Sequence, residues 1–200
     1  SQVIFGLDRA DLTQGETVLV QGAGGLGLNA TAVAKETGAE VIVVEGAPGR
    51  IERAKEFGAD HVVDMNEYEE SGERIRRVQE LTDGDGADVG IEVAGIPPAF
   101  KEGVSVLRNG ARYVEIGNIA TKLTTEFSPA ELTVKRINVE ALLLYQPWYL
   151  EQALDFLGRN SDDYPYEELL DAEFPLEEAQ RALEGSAEQE FTRASLVPER

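Results

Sequence analysis

One short segment constrains the fold of this 200-residue chain more than any other: Gly22-Ala23-Gly24-Gly25-Leu26-Gly27, a G-x-G-x-x-G loop. It directly follows the β-rich run Thr17–Val20 and opens an alanine-rich stretch, Leu26–Thr37, that reads as a helix closed by Gly38. Between a strand and a helix each glycine has its own reason to be there. Gly22 permits a tight turn, Gly24 lets backbone approach a diphosphate, and Gly27 lets the helix pack close to the strand. The first amides of such a helix lack carbonyl partners and carry partial positive charge, so Gly25 and Leu26 are the expected anion donors. No Lys followed by Ser or Thr closes the loop, which argues against a P-loop and nucleotide hydrolysis.

Beyond the loop, short apolar runs alternate with amphipathic stretches. Residues 40–45, 61–63, 88–93, 111–116 and 139–144 read as further strands. Between them apolar residues recur at helical spacing: Ile51, Ala54 and Phe57; Ile75, Val78 and Leu81; Phe100, Val104 and Leu107; Leu150, Leu154 and Leu157. Gly58 and Gly158 are expected stops, Pro97 and Pro98 a start, and Asn109–Gly110 a turn. The stripes are expected to be core. This alternation implies right-handed βαβ crossovers and a parallel sheet covered by helices on both faces. Six strands in two halves fit a Rossmann, doubly wound α/β fold over residues 1–160. After Gly158 the rhythm changes. Strands over 168–174 and 192–197 flanking a helix over 176–183 make residues 161–200 a C-terminal appendage.

Glu45 ends the second strand, 18 residues beyond Gly27, where an acid accepts hydrogen bonds from an adenosine ribose. Its charge would repel a 2′-phosphate, which favours NAD over NADP. Gly46 leaves room for the sugar. Arg50 can pair with a phosphate, hydrogen-bond the ribose or stack on adenine.

Composition narrows the partners. Thirty-eight acidic against 18 basic residues give a net charge of −20, dispersed along the chain. Nucleic acid and anionic membranes are excluded on that ground, since affinity for phosphates comes from Lys and Arg. The acid excess with few lysines is the pattern expected of a high-salt cytoplasm, where screening removes self-repulsion. No run approaches the roughly 18 apolar residues of a membrane span, and the N-terminus has no secretory pattern, so a cytoplasmic protein is expected. Cysteine is absent and His61 is the one histidine, which excludes thiolate chemistry and a zinc site built from this chain's own ligands. His61 is expected to have a packing or surface role, and Glu92 to be a structural hydrogen-bond acceptor. No catalytic residue is expected within the chain.

Taken in order, Gly15–Val20 with the glycine loop, Ala54–Val63, Gly86–Val89, Glu92–Gly95 and Phe174–Ala179 resemble the cofactor domain of the medium-chain, zinc-type alcohol dehydrogenases. The resemblance covers nearly the whole chain. It implies hydride transfer between an alcohol or carbonyl substrate and a nicotinamide dinucleotide. It also implies a zinc held by a separate catalytic domain absent from this sequence, on which residues 161–200 would pack. Ala94 and Gly95, and Ile116 and Gly117, match loops on the nicotinamide side of the cleft, and Ala141–Leu143 match a segment that contacts the carboxamide. Asn118 reads as an ordinary strand-end turn. The hydrophobic edge strand Asn138–Tyr145 implies pairing across a twofold axis, hence a homodimer. Two further readings fit the same residues: a stand-alone NAD-binding or sensing module, and a zinc-free NADPH quinone reductase, against which Glu45 argues.

Overall fold

The computed structural model describes residues 1–188 and 190–198. Its first six strands are β1 (Thr17–Gln21), β2 (Glu40–Glu45), β3 (His61–Asp64), β4 (Ala87–Glu92), β5 (Leu107–Glu115) and β6 (Asn138–Ala141). All pair in parallel, in the order β3-β2-β1-β4-β5-β6. The helices are α1 (Gln2–Arg9), α2 (Gly25–Thr37), α3 (Pro48–Glu56), α4 (Ser71–Leu81), α5 (Pro97–Val106), α6 (Ala130–Lys135) and α7 (Trp148–Asn160).

The strands are apolar at successive positions because both sheet faces are buried. Val18, Val20, Val41, Val43, Val89 and Ile91 point into a core shared with α1, α2 and α3, where Phe57 and Leu28 are fully buried. Leu19, Ile42, Val44 and Tyr113 point the other way, into a core shared with α4 and α5. Each such side chain contributes about 1.5–3 kcal/mol on leaving water. The chain runs outward from β1 to β3, then crosses to β4 on the other side of β1. The carboxyl ends of β1 and β4 therefore mark the point where the connections diverge, and a crevice opens there.

Several expectations are corrected at the edges. Leu107 is the first residue of β5, not the last of a helical stripe. It is buried beside Tyr113 and pairs with Ala87. Asn109–Gly110 is not a turn between elements but lies inside β5: Leu107 opposes Ala87 and Arg112 opposes Val89, so the surplus residues bulge out. Gly158 does not stop α7, which continues to Asn160. The stripe Leu150, Leu154 and Leu157 is not core; its side chains are 52%, 62% and 37% exposed. A different face of α7 is the inward one. Tyr149 packs on Phe5 with ring centroids 4.9 Å apart, and Phe156 packs against the larger core. The sixth strand is shorter than expected, leaving Leu143 and Leu144 exposed beyond its end. Helices α1 and α6 carry no clear sequence signal and are additions.

In the tail, the strand expected over 168–174 begins only at Ala172; Glu168 and Leu169 belong to a 3-10 turn over 166–169, in which Tyr166 and Leu169 fold inward onto the core beside Phe57. There follow β7 (Ala172–Pro175), α8 (Ala179–Ala187) and β8 (Ala194–Val197), with β7 and β8 forming a separate parallel pair. Leu170, Leu176, Leu183 and Leu196 stay exposed there. No helix among the described residues is long and apolar enough to cross a membrane.

Candidate functional site

The crevice at the ends of β1, β2 and β4 is a cleft of about 420 Å³. Its geometry starts from Gly22, which leaves β1 at φ +97°, a conformation that side-chain-bearing residues seldom adopt. Gly24 caps α2 and faces open space. Gly27 lies hard against the turn: a Cβ there would fall 1.8 Å from the Gly22 carbonyl oxygen. Helix α2 therefore begins almost in contact with the end of β1, and its cap, Gly24, lines the cleft. No side chain caps the first amides of the helix.

Glu45 ends β2 and is buried. Its Oε2 accepts from the Ala23 amide at 2.8 Å, while Oε1 accepts from the Gly46 and Ala47 amides at 2.7 and 2.9 Å. The carboxylate thus ties the glycine loop to the turn before α3. Gly22, Gly24, Glu45, Gly46, Arg50 and Ala94 all line the cleft. Its floor carries a buried ion pair. Arg74 of α4 donates to both oxygens of Glu102 of α5 at 2.9 and 2.7 Å, and to the carbonyls of Tyr68 and Glu69.

Of the other expected site residues, Gly25, Leu26 and Gly27 form the first turn of α2. Gly95, at φ +74°, sits behind Ala94 and donates its amide to Glu92. Ile116 lies in the larger core, and Gly117 rests on Gly95, so neither reaches the wall of the cleft. Ala141 pairs with Glu115 at the end of β6. His61 starts β3, at the end of the sheet opposite the glycine loop, 3.1 Å from Glu40.

Two features escaped the sequence. The first is Arg193, which precedes β8. A Cβ on Gly25 would fall 2.5 Å from its Nη2, so the guanidinium lies against the opening turn of α2. Asp171 fixes this segment by accepting the amides of Thr192 and Arg193. Burial works against its ionisation, but those hydrogen bonds prevail and hold the Asp171 carboxyl below its usual value. No local pattern marks an arginine whose partner is a glycine at the other end of the chain. The second is a carboxyl cluster. Glu92 is fully buried at the end of β4, beside Glu115 of β5 and Asn118. Burial first, and Glu115 second, push the Glu92 carboxyl up to about 8. Asn118, expected to be a plain turn residue, bridges the two acids.

Comparison with known proteins adds what geometry alone does not. Residues 25–159 match the family model described as zinc-binding dehydrogenase. This chain belongs to the zinc-binding dehydrogenase family. Among its relatives, 5-exo-hydroxycamphor dehydrogenase of Pseudomonas putida is 36% identical over 184 residues, 91% of this chain and 51% of that protein. Sorbitol dehydrogenase of Halalkalibacterium halodurans is 32% identical over 95% of this chain and 54% of its own length. The crystal structure of an alcohol dehydrogenase from Thermotoga maritima superposes with a TM-score of 0.90 at 30% identity, covering 99% of this chain and 54% of that one. The chain spans about half the length of the relatives it matches.

The family's metal does not fit this chain's residues. Among the described residues no group of three or more His, Cys, Asp or Glu could hold a metal ion, and His61 faces Glu40 away from the cleft. The residues at the cleft suit an anionic, hydroxyl-bearing ligand: Gly24 has open space above it, the helix it caps has no side-chain cap, Arg193 lies against the same turn, and Glu45 lines the cleft.

Proposed function

We propose that this zinc-binding dehydrogenase family member is the NAD(H)-binding part, over residues 1–160, of an alcohol dehydrogenase-like oxidoreductase. The observation that carries the reading is a cleft lined by both Gly24, the cap of α2, and Glu45, with Arg193 lying against the next residue of that helix, Gly25. Gly25 and Leu26 amides, with Arg193, would hold the diphosphate, and Gly24 lets it approach. Glu45 would accept a hydrogen bond from the adenosine ribose through the one lone pair, on Oε2, that its three amide contacts leave free. Gly46 and Arg50 border that sugar. Ala94 and Gly95, backed by Ile116 and Gly117, would flank the nicotinamide. When bound, the dinucleotide supplies or accepts the hydride; this chain's residues bind and orient it.

The substrate class is an alcohol or its carbonyl counterpart, in keeping with the names of the relatives. Zinc would come from a catalytic domain outside this sequence, and residues 161–200 would pack on that domain; their exposed leucines favour this. A homodimer through residues 138–145 is supported by the edge position of β6 and the exposure of Leu143 and Leu144. Light scattering reads that state. The acid excess supports a cytoplasm rich in salt and leaves nucleic acid and membranes as poor partners.

Isothermal titration of the chain with NADH and NADPH in molar KCl tests the reading. NADH is expected to bind at least about tenfold more tightly, or about 1.4 kcal/mol. No heat from either dinucleotide would sink the proposal, and equal affinities would remove Glu45 as the selector.

A further inference from the structure

Glu92 and Glu115 end neighbouring parallel strands at the same register position. Glu92 Oε1 accepts the Gly95 amide at 2.7 Å, and its Oε2 accepts Asn118 Nδ2 at 3.0 Å. Glu115 Oε1 accepts both the Asn118 amide and Asn118 Nδ2 at 3.1 Å. Glu115 Oε2 is buried without a hydrogen-bond partner. The ion pairs among the described residues include neither carboxylate. Among the described residues, the neighbouring groups are engaged elsewhere. Tyr113 of β5 donates its hydroxyl to Gln21 of β1, Glu102 of α5 is taken up by Arg74, and Glu140 of β6 by Arg9. Two adjacent anions, one on buried Glu92 and one on half-buried Glu115 whose Oε2 is itself buried, are strongly disfavoured, whereas one shared proton removes their mutual repulsion and gives the orphaned oxygen a partner.

We propose that Glu92 and Glu115 share one proton and act as a positioning pair, clasping through Asn118 the loop after β4 to the loop after β5. The inference rests on the cleft being a dinucleotide site, because Val93 and Ala94 of the first loop form its wall. Clearances between the loops are tight. A Cβ on Gly117 would lie 2.5 Å from the Gly95 nitrogen and 2.5 Å from Glu92 Oε2. Loss of the proton sets two charges against each other in that space, and the wall at Ala94 moves with them. Burial of Glu92 beside Glu115 favours keeping the proton at neutral pH.

The test is a fluorescence titration of the 200-residue chain with NADH, from about pH 6.5 to about pH 9.5 in molar KCl, with E115Q alongside. Affinity of the parent is expected to hold to neutrality and fall at least about fivefold by about pH 9, as linkage to one proton requires. E115Q keeps the hydrogen bonds without the charge and is expected to lose that decline. A flat parent profile, or a decline intact in E115Q, overturns the positioning role. Infrared spectra of the parent at neutral pH give a second readout that needs no variant to fold. The carbonyl stretch of a protonated acid, absent from E115Q and from E92Q, supports the shared proton; its absence from the parent overturns it. If the stretch is present but no NADH binds at any pH, the proton assignment stands while the dinucleotide reading and the positioning role both fail.

Discussion

Gly27 has no room for a methyl group. Its missing Cβ would overlap the Gly22 carbonyl oxygen at 1.8 Å, and a backbone atom cannot swing aside as a side-chain tip can. Gly27→Ala must therefore push α2 off the end of β1, disturbing a core in which Leu28 and Ala30 are fully buried. A loss of about 3 kcal/mol or more is expected, at the upper end for overpacking. Urea denaturation reads it; a loss under about 1 kcal/mol would show that the turn relaxes. The same residue illustrates what was legible. The G-x-G-x-x-G spacing named the positions that need no side chain, and the structure supplies the atoms that forbid one. Glu45 was legible as the acid at the end of β2, but its three amide partners were not, since they depend on how two loops meet. Arg193 and the pairing of Glu92 with Glu115 were invisible for a related reason: each is defined by a partner distant in sequence.

Among the elements, β1, β2 and β4 announced themselves because burial on both faces leaves a nearly continuous apolar run. Helical periodicity was equally plain in α7, yet it misassigned the buried face. Leu150, Leu154 and Leu157 form the more regular stripe, but Tyr149 and Phe156 are the residues covered. Periodicity reports that a helix is two-sided and says nothing of which side meets a neighbour. Leu107 failed for a different reason, since an apolar residue one step past a helix end fits equally well as the first residue of a strand. The α7 assignment has a direct test. Leu154→Glu is expected to change the chain's stability by no more than about 0.5 kcal/mol, as at an exposed site. Tyr149→Ala, which removes a buried ring packed on Phe5 and bonded to Asp8, is expected to cost about 3–5 kcal/mol. Equal losses by chemical denaturation would reverse the two faces.

For the molecule as a whole, charge dominates. A surplus of 20 negative charges on 200 residues opposes compaction wherever salt does not screen it. Ion pairs such as Arg9–Glu140 and Lys35–Asp60 lie near the surface and offset little of this. The melting temperature is expected to rise between low and molar KCl as the screening length contracts from about 30 Å to about 3 Å. A midpoint that stays level or falls would remove the case for a salt-rich cell.

Arg193 lies near the end of the chain, and the turn it covers lies near the beginning. A ligand gripped by both therefore draws the two ends together, and the obligation runs in each direction. On the proposed diphosphate site, whatever dislodges the β8 segment, whether a protease nick or a competing protein surface, would loosen the hold on phosphate, and phosphate in place would protect that segment from removal. A chain trimmed before Thr192 would keep its sheet and still be a poorer receptor.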